Sequence, residues 1–481
     1  MKKAVVTLLG MISYSKPDYI SVNGEVEKIF VDIPEKDRAK YSFSEMLNKF
    51  SKNLTKERYI NTLPLIIDSF EDRDIIPIAT QKAKNVQEKT LDFLKLDKSC
   101  LDNTVLIDES NYEEIFQQIS ELLQNDDYDS FIIDLTHGFR HLPILMIVNL
   151  IITSIKDVEK IEHIFFAKEI TPMREYEIID LLDYIGLAKL SFVLENFNTN
   201  YTVGNKLIFK NEQYQDLVDS LRIISSHILA NSLKALITKD EENLIEKTIH
   251  KLEELQREDK NIATFSASIN NIITHLKKIE VLKDEKDYIK LFKLSQMMKE
   301  REYLLNSITL LNESVGMFCA EKIRKISPEI SDEMDAFMET EKYSFYTLSH
   351  QSKNLIKLGN RFTGSYLSEL FPKQKILEVL KRENNYALIE ISIEIENLRN
   401  NLAHGNSSEQ IENVKGKISS YLTTYQTITQ IPNSIDIEEK NRELKKKENS
   451  VQKKAKEKIE PKGIEAPKEQ VDSLKNLFNN R

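Results

Sequence analysis

Two hydrophobic patterns divide the chain. Up to about residue 200, short continuous apolar runs alternate with amphipathic stretches. Beyond that point apolar residues recur at steps of three and four, and no strand-like runs follow. Residues 4–10 (Ala-Val-Val-Thr-Leu-Leu-Gly) read as a central parallel strand buried on both faces. Residues 19–31 place Asn23-Gly24 between two β-prone runs, a hairpin signal. Helical stretches are expected at 44–50 and 60–70. Three strand-then-helix repeats come next: a strand at 75–79 with a helix from Thr80 to about Leu94, a strand at 105–107 with a helix to about Leu123, and a strand at 131–135 with an apolar helix at 142–155. Pro143 suits the first turn of that last helix. Strands at 161–167 and 176–182 close the series. The alternation predicts an α/β, Rossmann-like, doubly wound sheet with right-handed crossovers.

From 201 to 289 the pattern is all-helical and reads as a connector. Leu221, Ile224, Leu229 and Leu233 fit a buried stripe, and Glu253, Glu254 and Asp259 fit solvated faces. His227, His250 and His275 are scattered and suit core or surface roles. A second all-α domain spans 290–432, where Leu304, Leu305, Ile308, Leu311, Val315 and Phe318 mark a long helix. Glu313 on that helix faces either a site or an ordinary partner. Further on, Leu388, Ile391, Ile395, Leu398 and Leu402 line one buried face, and Gly405 is placed to end the helix in a left-handed conformation. His350, Lys353, Lys357 and Arg361 read as a solvated face, with phosphate contact as the alternative. Residues 433–481 carry mixed charge with few large apolar side chains, so a disordered tail or a lone charged helix is expected.

Composition narrows the function classes. At 481 residues the chain exceeds one ordinary core. A net charge of −10 argues against a broad basic surface for duplex DNA but leaves room for a local basic groove. Cys100 and Cys319 stand alone without a CxxC, which indicates neither a disulfide framework nor a zinc site and favours a reducing cytoplasm. The apolar start is followed by Tyr14, Lys16, Pro17 and Asp18 rather than a cleavage site, and the 142–155 run is too short to span a bilayer, so no membrane role is expected.

Ligands of doubly wound sheets sit beyond the carboxyl ends of the strands. That rule selects Gly10, Met11 and Ser13 after the first strand, Thr80 and Lys82, Asp108, and the segment Thr136-His137-Gly138-Phe139-Arg140. Backbone amides beside Gly138 and a helix N-terminus suit an anion, Arg140 adds charge, and Phe139 or His137 can stack on a base. The competing reading is that Asp134 and Thr136 only cap a helix and that His137 and His141 make local hydrogen bonds. No G-x-G-x-x-G follows the first strand, and His137 with His141 lacks the companions a metal site needs. In the helical half, Arg399 and His404 lie within about a turn and a half at a helix end, around Asn400 and Asn401. A guanidinium can grip a phosphate through two parallel hydrogen bonds, and an imidazole can move a proton near neutrality.

Two families are suggested by these residues. Asp134-Leu135-Thr136-His137-Gly138 resembles the D-x-T-H-G motif of CARF domains in type III CRISPR ancillary proteins, and Phe139, Arg140 and Pro143 extend the match over a domain of about 1–200. Arg399-Asn400 through His404 resembles the HEPN ribonuclease signature. The resemblance implies a homodimer, possibly within a larger oligomer. Its paired CARF domains would bind a cyclic oligoadenylate activator, cyclic tetra-adenylate in this branch, and its paired HEPN domains would cut single-stranded RNA with no metal or other cofactor. Arg399 would clamp the phosphate and His404 would transfer protons. Asn400 would hold the helix end or bond the phosphate. Two other readings stay open: a ligand-sensing regulator that does not cut, and an unregulated toxin-type nuclease.

Overall fold

The structure, a computed structural model, describes residues 2–10, 16–22, 25–32, 35–138, 140–155, 160–205, 207–232, 236, 243–339, 345–361, 376, 378 and 385–432. Met11, Ser13, the Asn23-Gly24 turn, Phe139, Leu233 and the 433–481 tail lie outside the described residues. The chain forms two compact units, Met1–Leu236 with Glu241–Leu276, and Ile237–Asp240 with Lys277–Arg481.

The first unit is built on an eight-stranded mixed sheet. In chain order its strands are β1 (Lys2–Leu8), β4 (Ala39–Phe43), β5 (Arg58–Tyr59), β6 (Asp74–Ala79), β7 (Val105–Leu106), β8 (Tyr128–Asp134), β9 (Ile161–Thr171) and β10 (Glu175–Asp180), and across the sheet they run β5-β4-β10-β9-β8-β1-β6-β7. Strands β2 (Lys16–Val22) and β3 (Glu25–Asp32) form a separate antiparallel pair with Val22 opposite Glu25, as a two-residue hairpin loop requires. Helices α1 (Thr62–Ser69), α2 (Gln81–Leu94), α3 (Tyr112–Gln124), α4 (His141–Ile155) and α5 (Leu182–Asn200) follow in sequence.

Strand β1 is buried on both faces because its side chains alternate between two cores. Val5 joins Ile75, Ile132, Leu63 and Leu91 on one face. Ala4, Val6 and Leu8 join Ile133, Ile115, Ile119, Leu142 and Met146 on the other. Each large aliphatic buried this way contributes about 1.5–3 kcal/mol of transfer free energy. β1 lies between β8 and β6, parallel to both, with Val6 opposite Ile133 and Ile76. The strand order reverses at β1, with β6 and β7 on one side and β8 on the other, and in such sheets ligands sit beyond the carboxyl ends of the strands at that point.

Two strands were not expected from the sequence. In β4 the side chains of Lys40 and Ser42 face solvent, so its apolar content is too low for a continuous-run signal, and β5 has only two residues. The amphipathic stretch at 44–50 is a 3-10 helix, Glu45–Asn53, instead of an α-helix.

Helices α6 (Glu212–Leu229), α7 (Leu244–Glu258) and α8 (Ser266–Glu280) come next. The buried stripe of α6 runs Leu217, Leu221, Ile224, Ile228, whereas Leu229 is 37% exposed. A step of five from Ile224 turns about 140° off the stripe at 100° per residue, while the step of four keeps to it. Asp259 is not on a free face, since it accepts the Tyr214 hydroxyl at 2.6 Å.

The second unit packs α9 (Asp287–Glu300), α11 (Pro328–Glu339), α12 (Phe345–Leu358), α13 (Tyr386–Ala403) and α14 (Ile411–Thr429) around α10 (Leu304–Arg324). Leu304, Ile308, Leu311 and Val315 of α10 are buried as expected, and Leu305 is 41% exposed. Helices α10 and α12 touch at Gly316, where a Cβ would stand 2.7 Å from the Ser349 carbonyl oxygen and closer still to its hydroxyl. Only glycine permits that approach. Among the described residues no helix is long and apolar enough to cross a membrane.

Candidate functional site

The carboxyl end of β8 carries a buried polar hub. Asp134 is 2% exposed. It accepts the hydroxyls of Thr7 and Thr62 at 2.8 Å each, and the hydroxyl and amide of Thr136 at 2.6 and 3.1 Å. The Thr136 hydroxyl in turn accepts the Ala167 amide at 3.0 Å. Its single proton is committed to Asp134, so this side chain braces the loop across β1, β8 and β9 and leaves recognition to its neighbours.

His137 is turned inward, and its Nε2 accepts the Thr62 amide at the start of α1 at 3.4 Å. An accepting Nε2 places the ring proton on Nδ1. Burial holds the imidazole below its ordinary range, with Asp134 pulling weakly the other way, so the neutral ring is favoured. Gly138 sits at φ +99, and a Cβ on Gly10 would lie 3.1 Å from its amide nitrogen. The two glycines thus let the turns after β1 and β8 meet backbone to backbone. Arg140 is exposed in the turn before α4.

Other expected residues are arranged less directly. Thr80 caps α2 by accepting the Ala83 amide at 3.2 Å, and Lys82 is half-buried in that helix's first turn. Asp108 is exposed, and the amide and hydroxyl of Ser110 hold its carboxyl below the usual range. It follows β7, three strands from β8 and so about 14 Å across the sheet at ordinary strand spacing. The sheet brings Gly10 and the Thr136–Gly138 turn together but not Asp108.

Four participants were missed from the sequence. Thr7 and Thr62 bond Asp134, Asn61 donates to Gln87 at 3.1 Å, and Gln87 donates to the Gly10 carbonyl at 3.2 Å. All four are buried. The available signals were a threonine inside an otherwise aliphatic strand and an Asn-Thr pair at a helix start, where Asn61 accepts the Leu63 amide.

The second candidate group lies at the end of α13. Leu388, Ile391, Ile395 and Leu398 are buried and Leu402 half-buried, which fixes the helix against the bundle. Gly405, at φ +66, then closes it. Its amide bonds the Leu402 carbonyl at 3.3 Å, and the Asn406 amide bonds the Asn401 carbonyl at 2.9 Å. This pair of bonds is a Schellman motif, available because glycine takes the left-handed conformation without strain. His404 occupies the cap position and is exposed, while half-buried Arg399 donates from Nη1 to the Asn400 side-chain oxygen at 2.9 Å. Asn400 therefore orients the guanidinium.

One turn earlier on α13, Glu396 meets α12. Lys357 Nζ lies 2.7 Å and Lys353 Nζ 3.8 Å from the same carboxylate oxygen. Lys353 is buried, contrary to the solvated face expected for it, and it donates to the Asn312 side chain at 2.8 Å. Burial pushes its ammonium below the ordinary lysine range against the pull of Glu396 and Glu313. Burial raises the Glu396 carboxyl, but the hydrogen bond from Lys357 and the charge of Lys353 outweigh it and hold the group low. Glu313 accepts the Ser349 hydroxyl at 2.7 Å, an ordinary partner.

No protein-family model matches the chain, and no curated protein matches it. Among solved structures the chain is similar to Enterococcus italicus Csm6 bound to cyclic hexa-2'-fluoro-hexa-dAMP, with 14% identity, 92% of this chain and 99% of that chain covered, and a TM-score of 0.29.

Proposed function

We propose that the protein is a cytoplasmic endoribonuclease of type III CRISPR antiviral defence. Its α/β unit binds a cyclic oligoadenylate, and its helical unit then cuts single-stranded RNA without a metal. The observation that carries this reading is the closure of α13, which holds Arg399 through Asn400 and leaves His404 at an exposed helix end.

Cleavage needs positive charge on the scissile phosphate and groups that move protons at the 2'-hydroxyl and the leaving oxygen. Five positions along a helix place Arg399 and His404 about 140° apart around its axis. One helix end therefore does not aim both side chains at one atom. A twofold homodimer supplies a second set across the same groove. In that groove Arg399 grips the phosphate, one imidazole takes the 2'-hydroxyl proton, and the other gives a proton to the 5'-oxygen. The attack forms the bond from the 2'-oxygen to phosphorus as the bond to the 5'-oxygen breaks, leaving a 2',3'-cyclic phosphate.

In the α/β unit, the amides beside Gly138, the Nδ1 proton of His137 and the exposed Arg140 are donors for a cyclic anion. The Asp134 hub keeps the loop from rearranging. Activation follows if the ligand binds the cutting arrangement more tightly than the resting one. The test is product analysis with chelator present. A 2',3'-cyclic phosphate terminus formed by native protein and not by His404→Ala is expected, and metal-dependent cleavage leaving a 5'-phosphate would overturn the reading.

A further inference from the structure

The ion cluster joining α12 to α13 is costly for a purely structural device. Charges this enclosed lose hydration, and well-packed apolar residues usually serve stability as well or better. Two cations, Lys353 and Lys357, meet Glu396, and the charge of Glu313 also acts on Lys353. Lys353 is sealed in and spends a hydrogen bond on Asn312. Lys357 and Glu396 differ from it. Their side chains are 23% and 25% exposed, so their contact sits at the bundle surface. Glu396 precedes Arg399 by three positions and Asn400 by four, the spacings that place side chains on one helix face with Cβ atoms about 5–6 Å apart.

We propose that Lys357 is a second phosphate-binding group for the RNA, occupied by Glu396 until the strand arrives. This rests on the nuclease reading above and names a contact that reading lacks. Glu396, which holds Lys357, stands about one turn of α13 before Arg399, so a strand whose scissile phosphate sits on Arg399 can bring its neighbouring phosphate to Lys357. The incoming phosphate replaces the carboxylate on Lys357. Lys353, already within 3.8 Å of Glu396, keeps the displaced carboxylate compensated. The pair thus keeps Lys357 extended and oriented while the groove is empty.

The test is binding of a fluorescein-labelled single-stranded RNA by anisotropy, in the His404→Ala background so that nothing is cut, with salt varied. Lys357→Ala should weaken binding about fourfold at 0.15 M salt and flatten the slope of log affinity against log salt by about 0.7, the value for one single-strand phosphate contact. Lys357→Arg should restore both. Glu396→Gln removes the competitor and should tighten binding, a direction that mere damage to the fold does not produce. Unchanged affinity and slope in Lys357→Ala, or weaker binding in Glu396→Gln with an unchanged melting temperature, would overturn the proposal while the parent protein's RNA binding upholds the nuclease reading. Failure of the His404→Ala parent to bind RNA at all would instead sink the nuclease reading and this contact with it.

Discussion

Replacing Asp134 tests whether the loop after β8 is braced as the hydrogen bonds indicate. Asp134→Ala removes the acceptor for three hydroxyls and one amide in a site 2% exposed. Thr7 and Thr62 are themselves 0% and 1% exposed, so water does not take over. A buried donor left without an acceptor costs about 1–3 kcal/mol, and hydroxyl rotation toward other acceptors recovers part of that, giving an expected loss of about 2–4 kcal/mol. Asp134→Asn keeps one oxygen for Thr136 and presents an amide to hydroxyls that can accept, so its cost should be about 1 kcal/mol. Because the chain has two compact units, a single unfolding transition is the wrong readout. Hydrogen exchange at the β1 and β8 amides reports the local opening free energy directly. If Asp134→Ala changes that protection by less than the experimental scatter, or if Asn is as harmful as Ala, the hub does not hold the loop.

Three further expectations concern the same end of the sheet. Gly138→Ala should destabilise the α/β unit by about 1–3 kcal/mol, since the residue sits at φ +99 and the new methyl would lie 3.3 Å from Leu142 and Leu8, and unchanged hydrogen exchange at the β1 and β8 amides would contradict this. His137 is held below its ordinary 6.5, so the unfolded chain binds the proton first. Its contribution is complete above pH 6.5 and falls away as pH drops through that value toward the folded one. Stability should therefore decline between pH 7.5 and 5.5 and decline less in His137→Gln, and parallel pH profiles would refute the assignment. Arg140→Ala should raise the activator concentration for half-maximal cleavage about ten- to a hundredfold, the worth of one charge-assisted bond, with maximal turnover unchanged. An unmoved activation curve would make Arg140 structural.

What the sequence made legible follows physical range. The central strands and their helices were readable because burial on both faces leaves continuous apolar runs, as at β1 and β8. The stop at Gly405 was readable because a left-handed cap is a local demand on one residue. Strands β4 and β5 were not, because an edge pairing is decided by what lies beside it in space. The site residues divide in the same way. Gly10 and Gly138 are marked by their type, but Thr7, Thr62 and Gln87 matter through distant partners, Asp134 lying 127 and 72 positions from the two threonines. Gln87 reaches back 77 positions to Gly10 and 26 to Asn61. The placement of Lys353 inside the bundle was equally hidden, since helical spacing gives a face but not the identity of the neighbour.

Under the proposed function, a cyclic oligoadenylate switches on cleavage at the end of α13. Turnover of a fluorogenic single-stranded RNA, measured with each ring size for the native protein and for His404→Ala, tests it most directly. Strong activation by one ring size, cyclic tetra-adenylate first among them, is expected, with a loss of about a hundredfold or more in the variant, the usual worth of general acid–base catalysis. Equal cleavage with and without every ring, or near-native turnover by His404→Ala, would contradict it.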